Sequence, residues 1–195
     1  MGLSRQLKRG LCFVISAPSG AGKTTLVDKL VAQYPNALAR SISCTTRPPR
    51  EGEREGIDYF FVSPETFKEL LNKEAFLEHA HVFGYEYGTL KTQVENTLGL
   101  GKHVLLVIDT QGALYLKGKI EAKFVFILPP SLEVLQSRLQ NRKKEDLHDL
   151  NLRLSWANRE MDKAEFYDKV IVNDQLDVAY EELKEYIMTQ EFNIK

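Results

Sequence analysis

The sequence holds little of what several function classes require. It carries two cysteines, Cys12 inside an apolar run and Cys44 elsewhere, with no metal-ligand spacing between them, so a reducing cytoplasm is the expected setting. Lysine and arginine number 26 against 27 acidic residues, a net charge of −1. No basic footprint for nucleic acid follows from that balance, and any anion site must be local. No apolar run approaches the roughly 20 residues of a membrane span, so no membrane partner is expected. Arg5, Lys8 and Arg9 precede apolar residues 11–15 in the outline of a signal peptide, but that stretch is too short and runs straight into a glycine-containing loop, so it reads as a buried strand. Nothing resembles a Ser-His-Asp or Cys-His nucleophilic set, and His79, His81, His103 and His148 are scattered. There is no internal repeat. A length of 195 residues fits one domain, with room for lobes inserted into it.

What is present is a phosphate loop. Ala17-Pro18-Ser19-Gly20-Ala21-Gly22-Lys23-Thr24 follows the apolar run and opens a helical pattern. Small residues let backbone N–H groups turn inward, the helix offers the positive end of its dipole, a lysine reaches the outer phosphates, and the Thr24 hydroxyl can meet Mg²⁺. The pattern G-x-x-x-x-G-K-[ST] is met except at its first position, which is Ala17.

Apolar runs at residues 11–15, 104–108, 124–128 and 170–172 predict buried strands, with 41–45 a weaker fifth. Continuous apolar strands alternating with helices argue for a parallel sheet covered on both faces. Helices are expected over residues 24–33, over 65–72 behind a Ser63-Pro64 cap, over 132–141 behind Ser131 with Leu132, Leu135 and Leu139 in one stripe, and over about 176–189. Residues 45–89 look like an inserted lobe, and the charged segment after Asn141 like a flap.

Within the lobe, Arg47 and Arg50 admit two readings: a guanidinium clamp for phosphate stiffened by Pro48 and Pro49, or solvated charges beside Glu51 and Glu53. Tyr59 and Tyr87 could donate to phosphate or simply pack. Asp109 follows a strand at the position where open α/β sheets bind ligands and where phosphate-loop enzymes place a Mg²⁺-steering acid. Glu78 sits among apolar residues, either a helix-surface charge or an acceptor for the N1–H and N2 donors that guanine has and adenine lacks. Arg138, Arg142 and Arg153 could bring charge to a transferring phosphoryl group or form a solvated basic hairpin.

Taken together, residues 16–24, Thr45-Thr46-Arg47-Pro48-Pro49-Arg50-Glu51-Gly52-Glu53, Asp58-Tyr59-Phe60-Phe61-Val62, Phe76-Leu77-Glu78-His79-Ala80, Tyr87-Gly88-Thr89, Ile108-Asp109-Thr110-Gln111-Gly112, residues 126–131 and Val170-Ile171-Val172-Asn173-Asp174 resemble the guanylate kinase family of phosphate-loop nucleoside monophosphate kinases over almost the whole chain. The resemblance implies an α/β fold, with a phosphate-loop-type parallel sheet core flanked by helices (residues 1–44, 90–138 and 160–195), an inserted GMP-binding lobe (45–89) and a small lid (about 139–159). It implies Mg²⁺-dependent transfer of the ATP γ-phosphoryl group to GMP, and to dGMP, giving ADP and GDP. By the same resemblance Ala17, Pro18, Ser19, Gly20, Ala21, Gly22, Lys23, Thr24, Thr25 and Asn173 would bind ATP, with Thr24 on the metal. Ser43, Arg47, Arg50, Tyr59, Glu78, Tyr87, Thr89 and Asp109 would bind GMP, and Lys23, Arg138, Arg142 and Arg153 would serve catalysis. Two positions depart from the family pattern: Val107, where a second acid is common, and Lys143, where glycine or asparagine is common. A guanylate-kinase-like interaction module, and a phosphate-loop kinase for another acceptor, are the competing readings. The intact Gly22-Lys23-Thr24 counts against the first.

Overall fold

The computed structural model describes residues 9–141 and 147–192. Its elements in chain order are β1 (Cys12–Ser16), α1 (Lys23–Gln33), β2 (Leu38–Arg40), β3 (Cys44–Thr45), β4 (Phe60–Phe61), α2 (Pro64–Asn72), β5 (Phe76–Val82), β6 (Tyr85–Leu90), α3 (Lys91–Gly99), β7 (His103–Val107), α4 (Thr110–Leu116), β8 (Lys123–Leu128), α5 (Leu132–Asn141), α6 (Leu147–Met161), β9 (Lys169–Val172) and α7 (Leu176–Phe192). The main sheet runs β2-β7-β1-β8-β9 with all pairings parallel.

The reason the strands read as unbroken apolar runs lies in β1. Successive side chains of a strand point to opposite faces, and here both faces are covered. Phe13 and Ile15 pack with Leu26, Val27 and Leu30 of α1 and with Leu183 and Ile187 of α7. Cys12 and Val14 pack with Val94 and Leu98 of α3 and with Ala113 and Leu116 of α4. The valine, leucine, isoleucine and phenylalanine side chains among these contribute about 1.5–3 kcal/mol each on burial.

The fifth strand differs from the expectation. Leu38–Arg40, not residues 41–45, pairs with β7, and after Ser41 N–H bonds Leu105 O the chain leaves the main sheet. Leu38, fully buried against α1, is the side chain that fills the core; residues 41–45 offer only Ile42 and Cys44 as apolar groups. Cys44 and Thr45 instead join a second sheet ordered β4-β3-β6-β5. In it, β5 and β6 form a hairpin in which Val82 pairs with Tyr85, and the two turn residues, Phe83 and Gly84, both have positive φ (49° and 83°), as a type I′ turn requires. Phe67 and Phe76 stack 4.5 Å apart beneath this sheet.

The expected caps are present. Ser63 Oγ accepts from Thr66 N–H, and Pro64 opens α2; Ser131 Oγ accepts from Val134 N–H at the start of α5. Leu135 and Leu139 pack on Ala157 of α6. Because β1 and β7 are adjacent and parallel, the loops leaving their carboxyl ends meet at one place.

Candidate active site

The β1 end is tied to the β7 end by Ser16, whose buried hydroxyl reaches Ile108 O at 3.0 Å and Asp109 O at 3.2 Å. From there the loop turns through Gly20 and Gly22, each at φ 92°. A Cβ at Gly22 would lie 2.3 Å from Asn173 Nδ2, which donates to Ala21 O at 2.7 Å, so Asn173 fastens the loop from behind. Ala17, the departure from the motif, is 2% exposed and packs in the core beside Phe13 and Leu26, where its methyl is accommodated. Gly22 caps α1 with no side-chain acceptor, which leaves the first N–H groups of that helix for an anion. Lys23 Nζ donates to Ala17 O at 3.3 Å. Burial pushes its pKa down, against the opposing pull of Glu160 and Asp109.

Three carboxyls line the cavity beside this loop, and two of them, Asp109 and Glu160, act on the lysine's charge. Asp109 caps α4, its Oδ1 accepting from Gly112 N–H at 2.8 Å, and burial raises its pKa. Glu78 on β5 is 4% exposed; its Oε1 accepts from Thr89 Oγ1 at 2.6 Å, and burial carries its pKa up to about 7 despite that bond, with the Asp109 charge adding to the rise. It is thus on a strand, not on a helix surface. A Cβ at Gly112 would stand 2.3 Å from Glu78 Oε2, so the Glu78 carboxyl in this orientation packs directly against the bare α-carbon. The third, Glu160 on α6, was not anticipated. It accepts from Thr110 Oγ1 at 3.1 Å, and burial moves it up to about 7 against the attraction of Lys23.

Opposite these groups, Arg47 is not a solvated charge. Its guanidinium donates through Nη2 to Glu53 Oε1 and Oε2 at 2.8 and 2.9 Å, through Nη1 to Pro48 O at 2.8 Å and through Nε to Tyr87 Oη at 3.2 Å, and it lies 5.4 Å from the Tyr59 ring centre. Burial raises the Glu53 carboxyl, but the Arg47 bond and the Arg50 N–H outweigh it and hold the group below the ordinary range. The Arg50 side chain is exposed and makes no hydrogen bond or ion pair with the described residues. Tyr59 and Tyr87 meet edge to face at 5.9 Å.

One cavity of about 720 Å³ joins these parts. It is lined by Ala17, Pro18, Ser19, Gly20, Gly22, Lys23 and Thr24 of the loop, by Ser43, Arg47, Arg50, Tyr59, Glu78 and Tyr87 of the second sheet and its loops, and by Asp109 and Arg153. Thr89 is fully buried behind Glu78, and Thr25 lines a smaller adjoining cavity of about 340 Å³. Ala21, within the loop, is fully buried, and Asn173 lies beneath it. Arg138 does not line the cavity: its Nη2 donates to the carbonyls of Asn173 and Asp174 at 2.9 and 3.4 Å. Arg142 lies outside the described residues. Arg153 Nη1 stands 3.5 Å from Ser19 Oγ. Besides Glu160, the wall includes Phe83 and Trp156, which sequence reasoning passed over. Among the described residues there is no cluster of three or more metal-ligating side chains and no helix long and apolar enough to cross a membrane.

A family model described as guanylate kinase matches residues 9–190. The chain is 46% identical to a guanylate kinase of Protochlamydia amoebophila over 94% of its own length and 92% of the relative's, and 45% identical to one of Chlamydia muridarum over 92% and 87%. Among solved structures it resembles the crystal structure of guanylate kinase from Anaplasma phagocytophilum, with a TM-score of 0.77, 34% identity, and coverage of 94% of this chain and 87% of that one.

Proposed function

Since the chain belongs to the guanylate kinase family and is thereby an ATP:GMP phosphotransferase, we propose that its cleft holds the two nucleotides end to end, ATP at the phosphate loop and GMP against the second sheet. The observation that carries this assignment is that a single cavity gathers the carboxyls of Glu78 and Asp109 and the anchored Arg47 together with Lys23 of the phosphate loop. Ionised carboxylates only accept hydrogen bonds, so Glu78 and Asp109, with Ser43 and Thr89 beside them, match the N1–H and N2 donors of guanine and reject adenine. Arg47, Arg50, Tyr59 and Tyr87 take the GMP phosphate. Arg47 is held in place before any ligand arrives, so little side-chain freedom is lost on binding.

The acceptor needs no general base. A phosphate monoester has a second pKa of about 6 and is already a nucleophile near neutrality, which leaves the protein to position it and balance its charge. Lys23, the loop N–H groups, Arg153 and the sequence-assigned Arg142 supply positive charge to the transferring group. Arg138 reaches the reaction only through the 173–174 segment it braces, and the Asn173 side chain, buried with its amide on Ala21 O, serves ATP by holding the phosphate loop and does not face the adenine. Thr24, exposed at the head of α1 and lining the cavity, is the hydroxyl suited to Mg²⁺, whose remaining oxygens would come from phosphates and water. When bound, Mg²⁺ would neutralise phosphate charge. ATP and GMP are met in the cytoplasm, where we place this activity.

ADP release measured across a panel of monophosphates tests the assignment. GMP and dGMP are expected to support release at least about 100-fold faster than AMP, the scale set by unpaired buried polar groups. Release only with a non-guanine acceptor, or with none, overturns it. Glu53→Gln, which weakens the hold on Arg47, is expected to raise the KM for GMP about tenfold, the worth of one charge-assisted hydrogen bond, with a smaller effect on kcat in steady-state assays.

A further inference from the structure

The β5–β6 hairpin and α6 touch across the mouth of the cavity. Phe83, at the hairpin tip, lies 5.4 Å centre to centre from Trp156 on α6, with planes inclined at 48°, and the Arg153 guanidinium sits 5.4 Å from the centre of the same Phe83 ring. Phe83 adopts φ 49°, a left-handed conformation that a bulky residue seldom takes and that Asn or Asp would fill more easily. An aromatic residue there is explained by what its ring meets. Arg153, Trp156 and Glu160 fall at i, i+3 and i+7 on α6, hence on one helix face. That face is rooted at one end by Glu160 on Thr110 and gripped at the other by Phe83.

Resting on the functional reading above, we propose that Phe83 and Trp156 are positioning residues that join the GMP-binding sheet to the helix carrying Arg153, so that filling either nucleotide site tightens the other. GMP drawn into the second sheet carries the hairpin with it, and through Trp156 the hairpin carries α6 toward the phosphate loop. An aromatic pair of this geometry has a definite optimum separation, so the two elements travel together instead of sliding past each other. The coupling is reciprocal by thermodynamic necessity.

Trp156 is the sole tryptophan of the chain, so its emission reports on this contact directly. Titrating ADP against the whole protein, with and without saturating GMP, is expected to show GMP tightening ADP at least about fivefold in the wild type. In Phe83→Ala the factor is expected to fall close to one, while Phe83→Tyr, which keeps the ring, retains it. Should Phe83→Ala not fold, Trp156→Ala followed by calorimetry makes the same measurement. Coupling that survives loss of the ring, even with a lowered melting temperature, reduces the contact to packing and overturns the proposal, as does a wild type whose two sites are independent. A wild type that binds ADP but not GMP overturns the acceptor assignment as well, an outcome distinct from failure of the contact alone.

Discussion

Lys23→Ala is expected to lower kcat about 10²–10³-fold, the typical loss when one preorganised donor is removed from a site of developing negative charge. The fold should survive, because the only hydrogen bond of Nζ among the described residues is to Ala17 O and the loop is held independently by Asn173. The KM for either nucleotide should move far less than kcat, since the outer phosphate carries most negative charge as the reaction proceeds. Lys23 also moderates its neighbours. Its charge pulls Glu160 and Asp109 down against burial, so without it both carboxyls rise further. Turnover within threefold of wild type would remove Lys23 from the chemistry.

Glu78→Gln should raise the KM for GMP by about 10- to 100-fold, from the lost charge-assisted bond and from an amide N–H₂ turned toward guanine donors. It should also flatten a pH dependence. With its pKa at about 7, Glu78 takes up a proton as pH falls from 8 to 6 and ceases to be a pure acceptor, so the wild-type KM for GMP should climb over that interval and the Gln variant should show little slope. Stability moves the opposite way. A carboxyl whose folded pKa lies above its unfolded value favours folding most at low pH, and that advantage is lost as pH rises through about 7. The nucleotide-free wild type should therefore melt at lower temperature at pH 8 than at pH 6, and Glu78→Gln should recover part of the difference. A variant that keeps the whole fall in melting temperature between pH 6 and pH 8 and binds GMP normally contradicts both expectations.

Much of this was readable from residues alone, for identifiable reasons. A parallel sheet covered on both sides writes itself as continuous apolar runs, which is why β1, β7, β8 and β9 could be located. β2 escaped because three residues, one of them Arg40, leave no run to see. α3 and α4 escaped for want of a strong signal: α3 has two buried apolar residues, Val94 and Leu98, and α4 is seven residues long with Gly112 inside it. The phosphate loop is a local motif and was legible. The state of Arg47 was not, since Tyr87 reaches it only through the pairing of β3 with β6 and the Glu53 carboxylate only through the turn at 50–53. Glu160 looked like any helical surface acid, and no local pattern joins Phe83 to Trp156, 73 positions along the chain. The one available cue was Arg153, seven residues before Glu160 and hence on its face.

The bare α-carbon of Gly112 has an evolutionary corollary. While the long acid keeps this orientation, a methyl at 112 would overlap its carboxyl and one of the two must give way; a shorter residue at 78 would leave that space open. Exchange at this pair should therefore follow an order, with position 78 shortened before position 112 gains a side chain.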